Sequence, residues 1–135
     1  MSKTYVLDAN AVLSLLTDSA AANRMERLVK EAGRLAYSLI ISVANLGEVF
    51  YITWLRHGDL AARRTMDELL QLPLQVVPLD LAQALKAAEI KAVHSIPYVD
   101  CMAAALASLR GGTLVTSDRH FEKLGRHFPI LWIPR

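Results

Sequence analysis

"YVLDAN" (residues 5–10) decides how this chain is read, because an apolar, β-branched and aromatic run stops abruptly on a carboxylate. Asp8 ends the run, and "LVTSD" (114–118) repeats the pattern late in the chain with Asp118. A short apolar run of this kind reads as a strand buried on both faces. One Asp after a strand is ordinary turn and capping chemistry. Two of them raise the question of whether the strand ends meet.

Working outward from these two runs, strand-like and helix-like segments alternate along the chain. Residues 4–8, 36–42, 74–79, 113–117 and 130–134 read as strands, with Pro78 weakening the third and the fifth lying at an edge. A helix is expected from Asn10, and another over 20–32, where Ala22, Met25, Leu28, Val29 and Ala32 share a face. Ser42 is placed to cap a helix running to His57, stopped by Gly58. Ala62, Met66, Leu69 and Leu70 mark the next helix, ended by Pro73. Leu81, Ala84, Leu85, Ala88 and Ala92 form an amphipathic stripe. Pro97 suits the first turn of a helix that Gly111 and Gly112 close, and "RHFEKL" is a short helix after Asp118. Strands separated by helices imply crossover connections and a mostly parallel sheet covered on both faces.

The chain has 135 residues, 53% hydrophobic and 21% charged, which suffices for one domain with a sizeable core and excludes a disordered tail. Cys101 is the only cysteine, so neither a disulfide framework nor a Cys-rich zinc site is available. No run reaches the roughly 18 apolar residues of a membrane helix, and Asp8 interrupts the stretch a signal peptide needs. An intracellular, cytoplasmic protein without a membrane partner is expected. The formal net charge of +2 is far from a polybasic arm and decides nothing about nucleic acid.

Four acids then fall at one edge of the expected sheet. Asp8 and Asp118 follow strands, Glu48 lies in the early turns of the helix after the second strand, and Asp100 lies in the first turn of the helix opened by Pro97. Ligands of parallel sheets gather at the carboxyl ends of the strands. Clustered carboxylates raise one another's pKa until a cation neutralises them. Mg²⁺ takes a few carboxylates while keeping several waters, and such a metal activates water and stabilises a phosphoryl transition state. Taken singly, each acid reads as a cap or a surface charge. Asp100 resists that reading, being the only charge between Lys91 and Arg110 at the head of an Ala-rich helix.

With "LDANAVLSLL", "ISVANLGEVFY", "YVDCMAAALA" and "LVTSDRHFEKL" in this order, nearly the whole chain resembles the PIN domain, and specifically the VapC-type toxins of toxin–antitoxin pairs. The resemblance implies a three-layer α/β/α sandwich with a mostly parallel sheet of about five strands, spanning 1–135 as a single nuclease domain. It implies an endoribonuclease dependent on Mg²⁺ or Mn²⁺, with Asp8, Glu48, Asp100 and Asp118 as catalytic and metal-binding acids. Asn10 and Thr116 fall on the family's polar helper positions, which orient acids or water. Metal-activated water attacks the phosphorus in this family, so no protein nucleophile is expected. RNA is the implied substrate, a cognate antitoxin the implied partner, and a homodimer the implied assembly.

Two other classes compete. An aspartyl phosphotransferase of the haloacid-dehalogenase type also begins with a strand ending in Asp, but it wants an acid at position 10, where Asn10 stands. A non-catalytic PIN-like interaction module would tolerate erosion of the acids, and four survive. His57, His94, His120 and His127 are scattered and read as helix-end or surface residues, and Asp59 and Asp80 as helix caps. Arg119 reads as a solvated surface residue, and Tyr51 and Trp54 as core or partner interface.

Overall fold

The computed structural model describes residues 3–135. Five strands, β1 (Thr4–Leu7), β2 (Ser38–Ser42), β3 (Leu74–Val77), β4 (Thr113–Thr116) and β5 (Ile130–Trp132), form one sheet in the order β3-β2-β1-β4-β5. All four pairings are parallel. In register, Val6 stands between Ile40 and Leu114 at the centre of the sheet. β1 therefore lies between β2 and β4, the arrangement that lets Asp8 and Asp118 meet.

The apolar runs behave as strands because both faces of the sheet are covered. Val6, Ile40, Val77 and Leu114 belong to one core together with α5 (Leu81–His94), α6 (Tyr98–Arg110) and Phe121. Leu7, Leu39, Ile41 and Val115, one residue along, belong to the opposite core. That second core is closed by α1 (Ala9–Ser14), α2 (Ala20–Leu35), α3 (Val43–His57) and α4 (Asp59–Leu69). The period of two along each strand thus produces the three-layer α/β/α sandwich expected from the sequence.

The caps follow local chemistry. Ser19, Ser42 and Asp80 accept backbone N–H bonds at the starts of α2, α3 and α5. Gly58 ends α3 at a φ of +91°, a conformation that favours glycine. Asp59 departs from its reading as a cap: it is the first residue of α4, whose N-cap position is held by Gly58 without a side-chain bond. Its charge still suits the positive end of that helix. Gly112 is required by proximity, since a Cβ there would stand 2.9 Å from the Thr4 carbonyl oxygen where β1 and β4 begin to pair.

Two apolar features point outward. An apolar stripe ordinarily faces the core, yet Leu81 and Leu85 of α5 are 73% and 58% exposed, and Ala88 and Ala92 are exposed as well. The buried face of α5 is Gln83, Ala87 and Ile90. Gln83 decides this orientation, because its amide donates to Ser42 Oγ (2.8 Å) and to the Met102 carbonyl (3.2 Å). Tyr51 and Trp54 of α3 are likewise exposed and do not enter the core. Among the described residues no single helix is long and apolar enough to cross a membrane. α5 and α6 reach that length only together, with a bend of 117° between them, and α6 is the buried central helix.

Candidate metal centre

Asp8 leaves the carboxyl end of β1 and becomes the N-cap of α1, its Oδ1 accepting from the Ala11 N–H at 2.7 Å. Its Oδ2 accepts a hydrogen bond from the Thr116 hydroxyl at the end of β4. The same Thr116 oxygen accepts from the Asp118 N–H at 2.9 Å. Thr116 thereby ties the two strand ends into one polar unit. Asp8 is 1% exposed, and Thr116 is fully buried.

Asp118 caps the 3-10 helix Arg119–Leu124 through Oδ1, which accepts from the His120 N–H at 3.1 Å. Its Oδ2 receives Asn10 Nδ2 at 3.4 Å and lies 3.1 Å from His120 Nε2. Asp100, in the first turn of α6, lies with its Oδ2 2.7 Å from the same His120 nitrogen. Pro97 sets up that turn: as the N-cap residue its carbonyl accepts from the N–H groups of Asp100 and Cys101. α3 is held against the start of α6 by Asn45, whose Nδ2 donates to the Val99 carbonyl at 3.0 Å. Glu48 stands one turn after Asn45, near enough to Asp100 and Asp118 for their charges to act on it.

The electrostatics follow from this convergence. Burial pushes the Asp8 carboxyl up to about 7, against hydrogen bonds from Thr116 and Ala11 that favour its anion; the charges of Asp100 and Asp118 push the same way as burial. Glu48 is raised by burial and then by the Asp100 charge, with the Tyr51 hydroxyl opposing and Asp118 adding to the rise. Asp100 is raised by burial, opposed by the charge and hydrogen bond of His120, and raised further by Asp118. Asp100 and Asp118 thus act on both Asp8 and Glu48, and Asp118 acts on Asp100, whereas Asp8 and Glu48 lie outside the tighter group formed by Asp100, Asp118 and His120. Among the described residues, none of the four acids forms an ion pair with a Lys or Arg.

Asp100, Asp118 and His120 can each present a ligand atom within 4.8 Å of the other two. Hard carboxylate oxygens dominate the donor set, and Cys101 is buried with its Sγ bonded to the Ile96 carbonyl, so the chemistry fits Mg²⁺ or Mn²⁺ better than a thiolate-bound metal. His120, which the sequence reads as a surface or helix-end histidine, is brought against Asp100 and Asp118 by the structure. Only the fold-back of the 3-10 turn aims its ring at the acids; the sole written trace is its position two residues after Asp118. Arg119 keeps its surface reading, pairing with Glu122 at 3.6 Å and lying 4.4 Å from the Trp132 ring centroid.

One buried and three partly buried acids thus stand at the carboxyl edge of a five-stranded parallel sheet in an α/β/α sandwich, and residues 5–127 match the PIN domain family. The chain belongs to the PIN-domain family. Its fold is similar to DNA-bound VapBC from Salmonella typhimurium (25% identity, TM-score 0.75, covering 97% of this chain and 98% of that one). It is also similar to VapBC2 from Rickettsia felis bound to a promoter DNA fragment (18%, TM-score 0.75, 96% and 98%). A third is Mycobacterium tuberculosis VapC20, a sarcin–ricin loop cleaving toxin (19%, TM-score 0.71, 90% and 95%). A comparison with curated proteins gives no match.

Proposed function

We propose that this chain is a single-domain, Mg²⁺- or Mn²⁺-dependent endoribonuclease, acting in the cytoplasm as the toxin of a VapBC-like pair. The observation that carries the reading is the convergence of Asp8, Glu48, Asp100 and Asp118 without a Lys or Arg counterion. Carboxylates kept this close are an unfavourable arrangement that a divalent cation relieves. When bound, that cation supplies activation of water and stabilisation of the charge that develops on a phosphodiester.

Asp8, Glu48, Asp100 and Asp118 would hold the cation, and the remaining work belongs to the scaffold. Asp8 is orientated from both sides, by the Ala11 N–H and the Thr116 hydroxyl, before any substrate arrives. Asn10 orientates Asp118 from the first turn of α1. The burial of Asp8 and Thr116 keeps bulk water from the inner side of the site, so charges there act at lower effective dielectric. Hydrolysis by metal-activated water would need no serine, cysteine or histidine nucleophile from the protein.

Two partners accompany this reading. A small DNA-binding antitoxin is supported by the fold's likeness to the VapBC structures, and it would block the acids by inserting a basic side chain. A homodimer is supported by the exposed stripe of Leu81, Leu85, Ala88 and Ala92 on the outer face of α5. Light scattering at micromolar concentration tests the dimer, and Leu85→Glu should shift it toward monomer.

The activity is tested with purified protein and RNA in Mn²⁺, in Mg²⁺ and in EDTA. Cleavage should require metal, Asp100→Asn should abolish it, and Asp80→Asn, which alters only the cap of α5, should leave it nearly intact. Wild-type rates in both variants would sink the site assignment, and metal binding without cleavage would leave a non-catalytic interaction module.

A further inference from the structure

We propose that His120 is a further metal-binding residue, whose Nε2 joins Asp100 and Asp118 in a mixed nitrogen and oxygen donor set. It thereby biases the centre from Mg²⁺ toward Mn²⁺ and the later first-row ions. The inference rests on reading the four acids as a metal centre and says which ion that centre prefers.

The geometry is the first support. Two donors at right angles on a six-coordinate ion, each about 2.1 Å from it, stand about 3.0 Å apart. His120 Nε2 lies 2.7 Å from Asp100 Oδ2 and 3.1 Å from Asp118 Oδ2. Two edges of such a polyhedron are thus already spaced as the ion needs them, from three separate positions in the fold.

The second support is how firmly the ring is aimed. The His120 N–H is fixed by Asp118 Oδ1, so ligand and neighbour share one turn. The ring also packs edge-on against Phe121 (5.3 Å between centroids), and Phe121 is fully buried in the core beneath α6. An imidazole placed only by solvent would have no such backing. Nε2 is the ring atom that faces both carboxylates, and ligation through it uses the neutral imidazole with its proton on Nδ1.

The chemical consequence is selectivity. Carboxylates and water suit Mg²⁺, whereas imidazole suits the transition metals, with affinity rising from Mn²⁺ toward Co²⁺ and Ni²⁺. Removing the imidazole should therefore cost transition-metal affinity far more than Mg²⁺ affinity.

Pulsed electron paramagnetic resonance on the full chain loaded with Mn²⁺ reads the ligand directly. Wild type should show modulation from a directly bound nitrogen, and His120→Ala should lose it, while His127→Ala should keep it. By competition, His120→Ala should bind Mn²⁺ and Co²⁺ about 10–100-fold more weakly, with Mg²⁺ affinity changed much less. His120→Asn, which restores a hydrogen-bond donor, should recover the fold's stability but not the nitrogen signal. Mn²⁺ that binds wild type and supports RNA cleavage without nitrogen modulation overturns this inference and leaves the nuclease reading standing. No Mn²⁺ binding at all overturns both.

Discussion

The ends of β1 and β4 carry the same device in different surroundings. Each strand stops on an Asp whose Oδ1 caps the helix that follows, Asp8 for α1 and Asp118 for the 3-10 turn. Asp8 is sealed from solvent, and its other oxygen meets only the Thr116 hydroxyl among hydrogen-bond donors. Asp118 keeps 28% of its side chain exposed, and its other oxygen is shared by Asn10 and His120. Capping explains why an acid stands at each strand end. Burial explains why Asp8 is pushed up to about 7. A residue type shared by two turns thus gives one acid that strains the fold and one that the fold and solvent accommodate.

The largest expected effect separates the two in catalysis. Asp8→Asn should lower RNA cleavage by about 10³-fold or more, a loss on the order of 4 kcal/mol in transition-state stabilisation, because no water can take its sealed position. Asp118→Asn should lose roughly 10- to 100-fold, since solvent reaches that oxygen. Single-turnover rates at saturating Mn²⁺ measure both, and equal losses would break the distinction between the two ends.

Stability against pH sharpens it next. The folded pKa of Asp8 lies above its value of 3.8 in the unfolded chain. The fold therefore holds more protons than the unfolded state between these values, and stability falls as pH rises through that window. In EDTA, the protein should be less stable at pH 8 than at pH 5, by an amount on the order of a few kcal/mol. Glu48 and Asp100 are raised too and act with the same sign. Asp8→Asn should flatten much of this slope and make the metal-free protein more stable than wild type at pH 8. Asp118→Asn should keep most of the slope. Urea titrations at the two pH values decide, and a stability that rises from pH 5 to pH 8 would contradict the burial argument.

Thr116 joins the two ends, so its removal should weaken both. Thr116→Val takes a donor from buried Asp8 and an acceptor from the Asp118 N–H. The cost should be about 1–3 kcal/mol, the usual penalty for stranding buried polar groups, and should be greater at pH 8, where Asp8 is charged. Thr116→Ser keeps the hydroxyl and should restore most of the loss. An unchanged urea midpoint for Thr116→Val at pH 8 would mean that the two strand ends are not coupled.

How much of this was legible in the sequence depends on whether chemistry or partnership decides a position. The positions of Asp8, Glu48, Asp100 and Asp118 in the fold were legible because strand ends and first helical turns are marked locally, by apolar runs stopping and by Pro97. The central strands were legible for the same reason. The facing of α5 was not: Leu81, Leu85, Ala88 and Ala92 are a sound stripe, but Gln83 takes the inner side by bonding to Ser42, 41 positions away. His120 escaped because its role is set by where a 3-10 turn folds back onto α6, and no periodicity records that. Local rules located what each residue could do; only long-range pairing selected which of those things it does.

The smallest expected effect lies with Asn10, the one side chain that reaches from the β1 end to Asp118. Its Nδ2 is 3.4 Å from Asp118 Oδ2, long for a hydrogen bond and open to solvent. Water can replace such a donor, so Asn10→Ala should change metal-free stability by no more than about 0.5 kcal/mol, within the range of ordinary surface substitutions. The sign should nonetheless depend on metal. Without a cation, Asn10 relieves the Asp118 charge slightly, and its loss destabilises. With Mn²⁺ bound, the same donor serves mainly to hold the carboxylate in one orientation, so its loss should weaken Mn²⁺ binding severalfold while leaving the fold intact. Melting curves with EDTA and a Mn²⁺ titration of the same variant measure the two effects separately. A destabilisation as large as that of Thr116→Val would show that the β4 end is as closed as the β1 end, and the contrast between the two aspartates would then fail.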